Sequence, residues 1–384
     1  MSSLLRRLRY DERGVSFVFV GVGFMAFLAA TTLAIDVGMF MTARSQAQNS
    51  ADAGALSGAT ALYYNDFNDR TASGPAVQSA INTARQSANQ VMGSAASVTP
   101  PDVTFPNDPT GEPTRVRVNV FRTVGRANPV PTLIGQYFGV ASVNITATAT
   151  AEASRANAVT CVKPFMIPDR WNEQQSGPWD PDDTFEMYDN QNNPLANPDI
   201  YIPADQSGYT GYNPVRDLGL QLVIRAGTGN NINPTMYFSW KMAGDIGGNF
   251  YSDNIANCNQ QIVRWGDLMI QEPGNMVGPT NQGIDELIAK DPSAYWDTAY
   301  NRVVSSQSPS PRVAPIPLYD PVYYAVGKAN GRTADFKVAN WIGFFIEGRN
   351  GNEVTGRIVP VGGIIDGGAP APDGIFPRVI RLVE

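Results

Sequence analysis

The chain contains no histidine, and only two cysteines, Cys161 and Cys258, in 384 residues. Without imidazole there is no Ser-His-Asp or Cys-His relay, no His-ligated zinc or haem and no histidine general base. Two cysteines are too few for a Cys-rich zinc module or an iron–sulfur cluster, each of which needs about four ligands. No P-loop, no Gly-x-Gly-x-x-Gly and no Gly-x-Ser-x-Gly elbow occurs, so nucleotide and ordinary hydrolase chemistry lack support. Charged side chains are scarce, at 16%, against roughly 25% in an average soluble domain. The net charge of −7 has the wrong sign for nucleic-acid binding. What is plentiful is Gly (36) and Pro (29), which favour turn-rich β structure over helical bundles. The length suits about two to three domains.

The charge is unevenly placed. Residues 1–14 carry Arg6, Arg7, Arg9 and Arg13 against Asp11 and Glu12, a net +2 that leaves −9 on the rest. From Gly14 to Ile35 run 22 residues without a charge, and Asp36 follows at once. As a helix that run is about 33 Å long, which matches a hydrocarbon core of about 30 Å. Positive residues stay cytoplasmic, so residues 1–13 read as a cytoplasmic basic head, 14–35 as a transmembrane helix, and residues 36–384 as lying outside. A cleaved signal peptide is the alternative, with Thr32-Leu33-Ala34 as a small-x-small cleavage site, but its apolar region is normally only about 7–15 residues. The reading taken is an uncleaved single-pass anchor in the lipid bilayer. Export to an oxidising compartment pairs Cys161 with Cys258 across 97 positions. Two unpaired buried thiols remain the alternative.

Beyond the span, Ala43, Ala47, Ala51, Ala55 and Ala59 recur at a spacing of four, with Ser50, Gly54 and Gly58 in a second small row. Residues four apart share one helical face, and a face of small side chains lets another backbone come close. Either a neighbouring helix or the protein's own sheet would fill it; Ala51, Gly54, Ala55 and Gly58 are the expected contact residues.

The order of these parts is recognisable. Arg13-Gly14, the apolar span, Ala34-Ile35-Asp36-Val37-Gly38 and then Gln46-Ala47-Gln48-Asn49-Ser50-Ala51-Asp52-Ala53 closely resemble the N-terminal segment of TadG-like proteins of the tight-adherence (Tad, or Flp) pilus assembly systems. The resemblance covers about residues 10–62. It implies an inner-membrane protein with a periplasmic body. Its implied partners are Tad/Flp pilin or pseudopilins and the inner-membrane assembly platform, with surface exposure and homo-oligomerisation left open. The chain departs from pilin-like relatives that are cut by a prepilin peptidase. No glutamate stands five residues after Gly14, where Val15-Ser16-Phe17-Val18-Phe19 follow. It also departs from relatives with a von Willebrand A metal site, since Asp205-Gln206-Ser207-Gly208-Tyr209 lacks the second serine.

The remaining chain divides at about residue 156. Residues 36–156 read as helix plus a small α+β unit. A polar helical stretch over 63–97 is interrupted near Ser73-Gly74-Pro75, and 98–113 is a Pro/Asp-rich turn or linker. Strands follow at Arg115–Val120 and Val143–Ala151, with a short helix over Pro131–Phe138 between them. This resembles the globular part of small Tad-type pseudopilins in pattern only. Residues 157–384 read as a mainly β periplasmic domain. Its expected strands are 219–225, 236–240, 261–265, 341–346, 357–361 and 379–383, and its one evident helix is 281–290, stopped by Asp291-Pro292. The fold class expected is α+β.

Two features carry potential chemistry. Asp180, Asp182, Asp183, Glu186 and Asp189 form the densest acid cluster, a weak candidate Ca²⁺ loop, since Phe185 occupies the place of the EF-hand turn glycine and a solvated acidic loop is the preferred reading. Trp171, Trp179, Trp240, Trp265, Trp296 and Trp341 offer sugar-stacking surface or core, and scattered acids leave a glycosidase-like carboxylate pair open. The expectation is a non-enzymatic protein without cofactor that assists assembly or anchoring of a Tad/Flp pilus. The alternative is a surface adhesin whose aromatic β domain binds glycan or matrix.

Overall fold

The computed structural model describes residues 12–65, 69–87, 97–109, 111–227, 231–307, 309–329, 335–367 and 371–383. The chain forms two units, one of residues 1–59, 70–152 and 382–384, the other of 60–69 and 153–381.

The first helix, α1 (Glu12–Tyr64), runs unbroken for 53 residues, about 80 Å. No proline interrupts it. Its character changes along its length. From Ser16 to Ile35 every side chain but Thr32 is exposed, although the stretch is strongly apolar and long enough to cross a membrane. From Ala43 onward the alanines four apart are all buried. The adjacent row of Ser50, Gly54 and Gly58 lies against α2 (Pro75–Ser87), whose Ala76, Val77, Ala80, Ile81 and Ala84 are buried in turn. Pro75 opens α2 at the first helical position, where its missing N–H costs nothing. Short strands β1 (Val103–Thr104) and β2 (Arg115–Arg122) follow, then β3 (Val130–Pro131), β4 (Ser142–Val143) and β5 (Ile145–Arg155). β2 pairs antiparallel with β5 from Arg115↔Glu152 to Arg122↔Ile145. Val116, Val118 and Val120 alternate inward, fully buried, as the sequence pattern requires. Part of the expected linker is ordered structure: β1 pairs with β2 through Val103↔Val118. The helix expected over 131–138 is reduced to one 3₁₀ turn, Gly135–Phe138, because Val130 and Pro131 pair with Val143 and Ser142 instead.

The second unit is built on β6 (Ala158–Val159), β7 (Phe165–Pro168), β8 (Gln221–Ala226), β9 (Met236–Ser239), β10 (Val263–Arg264), β11 (Leu268–Ile270), β12 (Tyr295–Asp297), β13 (Arg302–Val304), β14 (Val313–Tyr319), β15 (Asp335–Asn350) and β16 (Glu353–Val359), whereas the last strand, β17 (Arg378–Val383), completes the sheet order β1-β2-β5-β17. Its helices are α3 (Gly248–Ala256), α4 (Val277–Lys290) and α5 (Pro321–Ala329). One sheet runs β11-β15-β14-β7-β9-β8-β16, and β15 pairs with β16 as well. That last pairing closes six strands into a barrel-like ring, with β11 beside the first residues of β15. All six contribute to one buried cluster (Phe165, Leu222, Tyr237, Ile316, Phe344 and Ile358 among them), so this cluster fills the ring interior. Their sequence neighbours Met166, Phe238, Tyr319 and Trp341 belong to a second cluster, which lies on the other face of the sheet. Over β7, β9, β14 and the middle of β15 both faces are covered, which removes the alternation of a half-buried strand, whereas β8 and β16 still alternate. The architecture is α+β, as the sequence indicates.

Candidate functional site

Three places in the molecule bear on function: the exposed apolar segment of α1, the polar clasp at its end, and an open groove in the second unit. The orienting arginines Arg6, Arg7 and Arg9 lie outside the described residues; Arg13 lies in the first turn of α1.

The small-residue face of α1 is used inside the protein. Ala43, Ala47, Ala51, Ala55 and Ala59 are at most 2% exposed. A Cβ added at Gly54 would lie 2.9 Å from Ala84 Cβ and 3.0 Å from Ala80 O, and one at Gly58 would lie 2.8 Å from Val116 Cγ1. The Ser50 hydroxyl donates to Ala84 O, and Thr83 donates to Ser57 Oγ. The face therefore seats α2 and β2. Of the two occupants that the spacing allows, the protein's own elements fill it, and Ala51, Gly54, Ala55 and Gly58 are buried internal contacts, not an open docking face.

Asp36, the first charged residue after the span, is buried. Its Oδ1 accepts the N–H of Leu133 (2.9 Å), and its Oδ2 accepts those of Ile134 (3.2 Å) and Gly135 (2.8 Å). Burial pushes the carboxyl up, but the three main-chain donors outweigh it and hold the group below its usual range. A buried carboxylate persists only when hydrogen-bonded in this way. In the sequence Asp36 marks the end of the span and belongs to the Ala34–Gly38 string of the family resemblance, neither of which names its partner. The only sequence trace of its partner is the uncharged stretch from Ala127 to Ala151.

In the second unit Cys161 and Cys258 form a disulfide. The acidic loop does not converge. Asp180 accepts the N–H of Asp182 (2.7 Å), Asp183 that of Asp180 (2.7 Å), and Asp189 those of Gln191 and Asn193 (both 2.8 Å). Among the described residues no group of three or more Cys, Asp or Glu side chains is placed to hold a metal ion. Trp171, Trp240 and Trp341 are fully buried core residues. A polar core absent from the sequence reading surrounds Asp169. This buried carboxylate accepts the hydroxyls of Tyr209 (2.7 Å) and Tyr201 (3.0 Å) and the N–H groups of Arg170 (2.9 Å) and Tyr212 (3.0 Å). Burial lifts it to about 6 despite these donors. Arg170 pairs with Asp217 and lies 4.1 Å from the Trp179 ring centre. Asp199 is likewise raised to about 6, by burial first and then by the neighbouring Glu173, against the N–H donors of Glu186 and Gln174. Glu173 accepts from Trp171 Nε1 and from the N–H groups of Gln174, Gln175 and Ser176. This pair of carboxyls fastens its own loop. The groove, about 720 Å³, is lined by Tyr64, Trp296, Asn301, Arg302 and Gln307 among others, with Tyr295 and Tyr300 exposed on the same β12–β13 hairpin.

No curated protein and no solved structure matches the chain. A family model does match residues 14–61, namely Tad, described as "Putative Flp pilus-assembly TadE/G-like". The matched stretch holds the exposed apolar segment, Asp36 and the buried small-residue face together. Over these residues the chain carries a TadE/G-like segment of the Flp pilus-assembly type.

Proposed function

We propose that this chain is a single-pass inner-membrane protein whose body lies in the periplasm and serves assembly or anchoring of a Tad/Flp pilus. The observation that carries the reading is the continuity of α1. One 53-residue helix joins an exposed apolar stretch, long enough for a bilayer, to a stretch built into the core of a folded unit. The family match to residues 14–61 covers both stretches. In this reading Gly14–Ile35 crosses the membrane with Arg6, Arg7, Arg9 and Arg13 on the cytoplasmic side. The apolar span packs beside pilin helices or the assembly platform, while the second unit reaches other envelope components. Its task is contact and placement; no catalytic step belongs to it. Counting surface pili by electron microscopy in the source bacterium, with the gene deleted and with it restored, tests the reading. Loss of pili that returns on complementation is expected, and unchanged piliation would overturn it.

A second reading is favoured by one observation, the open groove beside Trp296 with Tyr295 and Tyr300 exposed nearby. Aromatic surfaces of this kind stack on sugar rings, as a surface adhesin would require. Labelling of intact cells with a membrane-impermeant reagent separates the two: an adhesin is labelled, and a periplasmic scaffold is not.

A further inference from the structure

The connection between β2 and β5 hangs along α1 toward the apolar segment. At the sheet, Gln48 Nε2 donates to Thr148 O (3.3 Å). Twelve residues earlier in α1, about 18 Å along its axis, Asp36 holds the main chain of Leu133, Ile134 and Gly135. Because Asp36 directly follows the last apolar residue of the span, residues 133–135 sit at the level where Gly14–Ile35 ends. From Ala127 to Ala151 the connection has no charged residue. Beside the exposed Gln136 and Asn144, it leaves four large apolar or aromatic side chains in the open: Leu133 is 52% exposed, Tyr137 81%, Phe138 75% and Val140 49%.

The loop is rigidly made. β3 and β4 close its base. Thr132 N–H donates to Ala141 O (3.1 Å), Tyr137 N–H to Ile134 O (2.9 Å) and Val140 N–H to Gly135 O (2.9 Å). Gly139 turns it back at a φ of 87°. A braced, uncharged tip that shows Tyr and Phe to water is unfavourable, whereas at a membrane–water interface those rings are at home. Within one turn of Asp36 on α1, Leu33, Ile35 and Val37 are exposed as well.

We propose that residues 133–140 form a second membrane contact, in which Tyr137, Phe138, Leu133 and Val140 enter the headgroup layer of the bilayer that α1 crosses. Asp36 is the positioning residue that sets the depth of this contact. The proposal rests on reading Gly14–Ile35 as a membrane anchor.

The test uses the full-length protein with its disulfide intact, reconstituted in phosphatidylethanolamine–phosphatidylglycerol vesicles. A nitrobenzoxadiazole fluorophore is attached in turn to Phe138→Cys, to Phe24→Cys in the span and to Asn352→Cys on an exposed turn. The expected result is emission at 138 shifted to the blue of that at 352 and quenched more strongly by headgroup spin labels than by chain-end spin labels. Position 24 should show the opposite quenching order. Adding Asp36→Ala should return the 138 emission to the 352 value and leave 24 unchanged. A 138 emission equal to that at 352, with 24 quenched by lipid labels, would overturn the loop contact alone. A 24 emission untouched by lipid labels would overturn the anchor reading and the proposal with it. A blue shift at 138 without quenching by either label would overturn the lipid contact and assign the loop to a second copy of the chain instead, and an Asp36→Ala variant that keeps the shift would remove Asp36 from its role.

Discussion

At Gly54 and Gly58 the backbones of α1, α2 and β2 approach too closely for any side chain, with added Cβ atoms meeting neighbours at 2.9 and 2.8 Å. Gly38, by contrast, has nothing within 4 Å of such an atom. Overpacking of a filled core costs about 1–3 kcal/mol, and Leu is several atoms larger than the available space. Gly54→Leu should therefore lower the unfolding free energy of the first unit by at least that amount in denaturant titration, while Gly38→Ala should stay within about 0.5 kcal/mol of the parent. Equal stability of the two variants would contradict the packing described. Titration gives a second residue-level prediction. Asp169 and Asp199 both have folded-state values near 6, above the roughly 3.9 of an unfolded aspartate. The native state then binds more protons between those values, so the stabilisation is complete below about pH 4 and is lost as pH rises through about 6. The lowered groups, such as Glu173 and Asp291, act only in the opposite, more acidic range. Melting temperature of the second unit should fall from pH 5 to pH 7, and Asp169→Asn should flatten that slope; an unchanged slope in the variant would remove Asp169 as its source.

Among the elements, the disulfide links the segment entering β7 to the end of α3, closing a separation of 97 residues. Loss of such a bridge typically costs about 2–5 kcal/mol, so Cys161→Ser should melt the second unit at a lower temperature, with altered mobility on non-reducing gels. Identical melting with and without reductant would contradict a structural bridge. How much of this architecture the sequence shows depends on the element. β2 and the first residues of β5 alternate because one face of their sheet is open there, although β5 is buried on both faces from Ala149 to Ser154, and α4 ends at Lys290, just before Asp291-Pro292. β14 escapes notice because it carries Pro315 and Pro317, and proline within a run argues against a central strand. The structure shows why both are tolerated. Pro315 O accepts from Lys163 N–H, so the proline nitrogens face away from β15, and β7 pairs only from Leu318 onward. β15 is visible only over residues 341–346, although it extends from 335 to 350, because burial on both faces erases alternation. The small-residue row of α1 is legible as a packing face, but its occupant is not: α2 and β2 reach it through tertiary contacts that no local spacing encodes. The same holds for Asp36, whose three donors lie about 97–99 positions away in the chain.

On the scale of the whole molecule, α1 gives the chain two solvents. Its first part presents apolar side chains on all sides, which suits lipid, and its second part presents a single buried face, which suits a folded body in water. The family match over residues 14–61 spans that change of character, so the apolar stretch and the packed helix fall within one matched segment. The central claim is that Gly14–Ile35 remains attached and holds the body at the membrane. Alkaline carbonate extraction of membranes from cells expressing the full chain, with intact mass of the extracted protein, tests it most directly. The account predicts that the protein stays in the membrane pellet with residues 14–35 present, and that deletion of 14–35 releases it. A carbonate-soluble chain that begins near Ile35 would contradict the account.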